Sequence, residues 1–253
     1  CLRILLRRFR VQVAAWLVPL WLLVGVTAPS YESIYPSLET RTVLIEQMRK
    51  SPGTQLLYGY VPMPGRLGQL LQWETGTFLL VCTSLMAILL TCRMLRGDED
   101  EGLTEVLRST GTGRAVPLVV PVTVVWMIIG GLSAGVGGIL TWQTRSIEEL
   151  TVSGAWALAG TICVTGWAFS AVAAVTSQLG RQVGQARSLS MIVLAIAFVM
   201  RVSADQLSDG RRSDWLRWMT PLGWRDLVRP YTDDRFTVLA VCCTVAIALA
   251  LSA

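Results

Sequence analysis

The sequence contains no histidine, and only one of its 22 cationic residues is lysine, Lys50; the rest are arginine. Charged residues of both signs make up 15% of the 253 positions, against about a quarter in soluble domains. Each shortage removes a class of chemistry. Without histidine there is no His-ligated zinc site, no Ser-His-Asp triad and no imidazole base. A P-loop needs Gly-Lys-Ser/Thr, and Lys50 lies in Met48-Arg49-Lys50-Ser51 with no glycine beside it. The chain therefore does not bind ATP through such a loop. The six cysteines (Cys1, Cys82, Cys92, Cys163, Cys242 and Cys243) contain no C-x-x-C, which gives neither a disulfide framework nor a metal site. No cofactor is expected on this chain.

What is present is apolar. Hydrophobic residues make up 53% of the chain, and the mean hydropathy is +0.53. Uncharged runs recur at 11–28, 76–92, 115–144, 151–180, 188–200 and 236–253. A bilayer core needs roughly 20 residues of helix. The runs give six spans at about 11–28, 76–92, 117–140, 152–177, 188–204 and 236–253. The fifth reaches full length only if Arg201 lies at the membrane edge. No run alternates apolar and polar residues, which excludes barrel strands. The expected fold is all-α, a single integral membrane domain over 1–253 built as a six-helix bundle. No Ala-x-Ala site closely follows the first run, so it reads as a retained helix rather than a signal peptide.

Arginine sets the orientation. With the N-terminus inside, the inner segments hold ten arginines in 42 residues, and the outer segments eleven cations in 88. In the outer segment 205–235, six arginines face six aspartates, a near-neutral charged surface. The net charge of +5 then reflects topology. No basic patch with interleaved aromatics suggests nucleic acid. The spans so bounded contain no Asp, Glu, His or Lys, and acid–base chemistry at membrane depth lacks candidates.

Several connecting segments have features of their own. Residues 1–10 place Leu2, Leu5, Leu6 and Phe9 on one arc and Arg3, Arg7 and Arg10 on another. This is a short interfacial helix or simply the positive flank of the first span. A helix is expected over 38–50, after Pro36 and stopped by Ser51-Pro52-Gly53. Trp73 is placed to anchor the second span at the interface. In the 93–114 loop, Asp98, Glu99, Asp100 and Glu101 sit where a short helix could start. Leu103, Val106 and Leu107 give it an apolar face, and Thr110-Gly111 ends it. Either it docks on a cytoplasmic protein or it is a solvated acidic loop. Gly131 and Gly135 form a small-xxx-small pair for helix packing. Tryptophans and arginines interleave over 205–235, around the break at Pro221-Leu222-Gly223; two half-embedded interfacial helices are expected there. Arg201 and Asp205, four apart on one helix face, form an ion pair at the outer membrane edge; substrate contact is the other reading.

Residues 77–114 resemble the second span and cytoplasmic loop of type 2 ATP-binding-cassette exporter permeases, in the branch that exports polyketide antibiotics such as tetronasin. The matching residues are Arg96, Asp98-Glu99-Asp100, Gly102, Glu105 and Arg114. A second match is Thr220-Pro221-Leu222-Gly223-Trp224 with Val228-Arg229-Pro230-Tyr231 and Asp234-Arg235-Phe236. It makes Pro221, Gly223, Trp224, Arg229 and Pro230 an outer motif. Arg201 and Asp205 fall where the family often has Arg and Asp. The resemblance covers 77–236 well and the N-terminal third loosely. It implies a permease subunit in a bacterial plasma membrane with its N-terminus cytoplasmic. Its cytoplasmic partner would bind ATP and Mg and dock on the 98–105 loop as the coupling helix. The path would run between two six-helix halves. Such chains are usually about twice this length. The present one, which starts at Cys1, is expected to be a fragment or a half-size permease that dimerises. The competing functions are a membrane scaffold that only recruits partners and, less favoured by the residues, a membrane-embedded enzyme.

Overall fold

The computed structural model describes residues 2–34, 37–59, 62–100, 116–180, 182–206 and 214–252. Ten α-helices occur among them: α1 (Leu2–Ile34), α2 (Leu38–Lys50), α3 (Pro52–Tyr58), α4 (Leu67–Asp100), α5 (Val116–Gln143), α6 (Val152–Leu179), α7 (Val183–Gln206), α8 (Asp214–Met219), α9 (Trp224–Val228) and α10 (Phe236–Leu251). A 3-10 turn at Pro221–Gly223 separates α8 from α9. No strand occurs among the described residues.

Among the described residues, five helices are long and apolar enough to cross a membrane: Arg7–Ile34 in α1, Leu67–Arg96 in α4, Leu118–Gln143 in α5, all of α6 and all of α7. The sixth apolar helix, α10, has 16 residues. At 1.5 Å per residue it is about 24 Å long, short of a core of about 30 Å.

Contacts along the long helices fix their directions. Arg93 of α4 reaches Gln12 of α1, while Gln143 of α5 reaches the Gly25 carbonyl, so α4 opposes α1 and α5 runs with it. Thr91 meets Ser170 at 3.0 Å and Arg96 donates to the Ser177 carbonyl, which makes α6 parallel to α4. Thr176 and Ser190 share a hydrogen bond, and α7 returns beside α6. Successive long helices thus alternate in direction. We call the end at Ile34, Leu67, Gln143, Val152 and Gln206 the far end.

Helix α6 occupies the centre because more than half of its 28 residues are Gly, Ala, Ser or Thr, which lets neighbouring backbones approach. At Gly166 an added Cβ would stand 2.8 Å from Ile129 of α5 and Thr83 of α4; at Gly160 it would stand 2.8 Å from Leu239 of α10. The Gly131–Gly135 pair splits. Gly135 receives the Trp21 ring of α1, whereas a Cβ on Gly131 would meet nothing within 4 Å. The glycine that packs onto α6 is Gly137, against Trp156 and Ala159.

Three boundaries differ from the sequence expectation. Residues 2–10 are not a separate interfacial helix but continue into the first span as one 33-residue helix. Asp98, Glu99 and Asp100 do not begin a helix; they extend the C-terminal end of α4. Both follow from cooperativity: adding a residue to an existing helix gains a hydrogen bond without a new nucleus. At its other end, α4 starts at Leu67, not near Gly76, and so takes in Trp73 and Glu74. Trp73 is 2% exposed, not interfacial. Its Nε1 donates to the Gly59 carbonyl at 3.0 Å, and its ring lies 5.1 Å from that of Tyr58.

Candidate functional site

Five charged side chains converge at the far end of the bundle. Arg201 and Asp205 come from the last turns of α7, Arg217 from α8, and Arg225 and Asp226 from α9. Arg201 Nη2 lies 3.6 Å from Asp205 Oδ2, and its Nε lies 3.8 Å from Asp226 Oδ2. Arg217 reaches Asp205 Oδ1 at 3.3 Å, and Arg225 reaches Asp226 Oδ1 at 2.8 Å. Arg201, Asp205 and Arg225 are all buried. Buried charges persist only when paired and hydrogen-bonded, and here the pairs share partners.

The same arginines hold backbone. Arg201 donates to the carbonyls of Leu57 at 2.9 Å and Tyr58 at 2.7 Å. Those are the last two residues of α3, whose carbonyls have no partner within the helix. A guanidinium there also suits the negative end of the helix dipole. Arg225 donates to the carbonyls of Tyr58, Gln72 and Trp73 and to Thr77 Oγ1. Two arginines therefore clasp the 52–59 segment onto α4 and α7. Burial alone would push the Asp226 carboxyl up, but the guanidiniums of Arg225, Arg201 and Arg217 hold it below the usual carboxylate range. An open cleft of about 280 Å³ adjoins the cluster, lined by Gln72, Asp205, Arg217, Arg225, Asp226 and Thr232 among others.

A second tie lies at the same end. Arg41 of α2 donates to Glu149 Oε2 at 2.6 Å, and the Leu67 amide donates to the same oxygen at 2.7 Å. Glu149 thus joins α2 to the first turn of α4, where amides are unpaired and negative charge is favoured. Partial burial opposes its charge, but Arg41 and the Leu67 amide prevail and lower its pKa.

The residues singled out from sequence fall in three places. Glu101, Gly102, Glu105 and Arg114 lie outside the described residues, and Asp98, Glu99 and Asp100 form the described end of α4. Arg201 and Asp205 sit together in the charge cluster. The outer motif is distributed. The Pro221 carbonyl accepts from Thr165 Oγ1 at 3.1 Å. Gly223 lies against the Arg217 backbone. Trp224 is not interfacial: it is 2% exposed, packs with Val164, Ala168, Cys242 and Ala246, and donates from Nε1 to the Trp218 carbonyl. The exposed tryptophans of this stretch are Trp215 and Trp218. Arg229 ends α9 in the left-handed region, at φ 54°, and pairs with Asp233 at 3.0 Å. Pro230 is buried. Beside it the Tyr231 ring fills a slot that exists because Gly68 of α4 and Gly154 of α6 both lack a Cβ.

Arg217, Arg225 and Asp226 were not found from sequence. The equal numbers of Arg and Asp over 205–235 were the available signal. That balance fits an exposed loop, and it equally fits charges that neutralise one another in a core.

No family model matches the chain. A multidrug efflux system permease protein of Mycobacterium tuberculosis is 32% identical over 239 residues, which are 94% of this chain and 41% of that protein. The chain therefore spans less than half the length of this curated relative.

Proposed function

We propose that this chain is a membrane-spanning permease unit of an ATP-driven exporter of antibiotics or other hydrophobic compounds. The single observation that carries the reading is the likeness to an efflux permease along 94% of the chain. The five membrane-length helices are consistent with it. In this reading α10 completes a six-helix bundle, and the arginine-rich N-terminal end lies in the cytoplasm of a bacterial cell. The far end then faces outward, and the charge cluster around Arg201 closes that end.

In this reading ATP and Mg bind a separate cytoplasmic subunit; no P-loop lysine occurs in the present sequence. That subunit docks on residues 98–105, with Arg114 closing the loop. A second six-helix half, in the same chain or in a second copy, forms the other wall of the path. The exposed apolar side chains of α1 and α7, such as Leu22, Val26, Ile192 and Ile196, supply a face for that half or for lipid.

The test is co-purification of the tagged full-length protein from its native membrane. A P-loop ATPase should accompany it, and the pair in proteoliposomes should expel a hydrophobic dye when ATP is added. Dye movement that needs no ATP, or a preparation without any ATPase chain, would remove the exporter assignment.

A further inference from the structure

The start of α4 at Leu67 brings one carboxylate, Glu74, into a membrane-length helix. Seven residues separate it from Leu67, about 10 Å along the helix axis. The other carboxylates packed at this end have cationic partners: Asp205, Asp226 and Glu149 each meet arginine. Glu74 has no hydrogen-bond or ionic partner among the described residues.

Its surroundings are aromatic. Glu74 lines a cavity of about 240 Å³ with Leu23, Thr27 and Tyr31 of α1, Tyr58 of α3, and Thr75 and Phe78 of α4. Leu23, Thr27 and Tyr31 follow one face of α1 at spacing four, and Glu74 and Phe78 do the same on α4. Thr27 directs its hydroxyl to the Leu23 carbonyl, so the α1 side of the cavity offers mainly apolar and aromatic surface. Phe78, also in the lining, is 53% exposed.

An unpaired carboxylate in a membrane-spanning helix is costly and is retained where it does something. Ring faces attract cations, more strongly when water is excluded. A carboxylate that shares a cavity with three aromatic side chains, and has no internal cation, is complementary to a positive charge that carries apolar groups. The cavity is slightly smaller than a typical drug pocket. It holds a cationic head and one ring, and leaves the remainder of a larger molecule outside.

We propose that Glu74, Tyr31, Tyr58 and Phe78 form a recognition site for the cationic head of an amphipathic organic monocation. That this ligand is cargo rests on the exporter reading; the site itself rests on the geometry.

The experiment uses the full-length protein in maltoside detergent and two probes of similar shape, the tetraphenylphosphonium cation and neutral triphenylphosphine oxide. Glu74→Gln should weaken phosphonium binding at least about tenfold while the neutral probe changes less than about twofold. Glu74→Asp should fall between, and Phe78→Leu should weaken the cation more than the neutral probe. Phosphonium binding within about twofold of wild type in Glu74→Gln overturns the site, as does an equal loss of both probes. Displacement of the phosphonium by phosphatidylcholine at low mole fraction assigns the pocket to lipid ammonium groups and overturns the cargo assignment. In proteoliposomes with the ATPase, normal phosphonium efflux by Glu74→Gln removes the site and leaves the exporter. Cation binding that depends on Glu74 without ATP-driven efflux of the phosphonium leaves the site and overturns the cargo assignment, while the dye assay tests the exporter separately.

Discussion

Gly59 and Arg201 meet at the end of α3 so closely that an added Cβ on the glycine would stand 2.8 Å from the Arg201 guanidinium and from Asp205 Oδ2. The glycine also has a φ of +82°, in the region that side chains avoid. Gly59→Ala should destabilise the protein by about 1–3 kcal/mol. Gly53→Ala is the control, because a Cβ there meets nothing within 4 Å. Thermal unfolding in detergent should lower the midpoint for the first variant only. Equal midpoints for the two would mean that the clasp around Arg201 does not constrain the chain.

Arg225→Met should be among the most damaging single changes at the far end. It strips Asp226 of its 2.8 Å partner and leaves the carbonyls of Gln72 and Trp73 with one donor fewer. Removing one member of a buried pair costs about 3–5 kcal/mol. Adding Asp226→Asn should recover part of that loss, because the carboxylate left with only the longer Arg201 contact is gone. A double-mutant cycle on the unfolding midpoint reads the coupling. Strict additivity of the two changes would contradict the pairing.

The tie at Glu149 should depend on acidity in one direction. Burial opposes its charge, but Arg41 and the Leu67 amide outweigh burial and lower its pKa in the folded protein. A lowered folded-state value means stabilisation present above the unfolded value of about 4.3 and lost as pH falls through the folded value. The distance between spin labels on α2 and on the turn at 144–149 should hold from neutral pH down to the carboxylate range and then broaden. Glu149→Gln should abolish that transition. A distance that changed instead as pH rose would reverse the assignment.

Changing Asp98, Glu99 and Glu105 to lysine should separate the permease from its ATPase under the exporter reading. Protein level in the membrane should hold, while dye efflux and stimulated ATP hydrolysis both fall. Normal efflux by the triple variant would take the coupling role away from this loop.

The long helices were readable because unbroken apolar runs permit little else. Their ends were not. Glu74 lies just outside the run that begins at Gly76, so a boundary set by charge left it out of the span, whereas backbone hydrogen bonding carries α4 back to Leu67. The fate of the loop charges was equally hidden. Arg225 and Arg229 are four residues apart in one segment; one is buried on α4 carbonyls and the other stands exposed beside Asp233. Nothing local separates them. What does is distant: the carbonyls of Gln72 and Trp73, 153 and 152 positions away, accept from the first. Trp73 and Trp224 were misread for a related reason. A tryptophan beside polar residues suits an interface, but each finds a backbone carbonyl for its ring nitrogen and can then be covered.

Arg201 and Arg225 grip the 52–59 segment through carbonyl oxygens rather than side chains, and every residue offers the same oxygen. The grip itself is therefore indifferent to the side chains at 54–57, provided the helix ends in the same place, Tyr58 keeps its packing on Trp73 and a glycine follows it. The stretch that covers the far end can drift in sequence while its attachment stays fixed, so the surface it presents can change without rebuilding the bundle beneath.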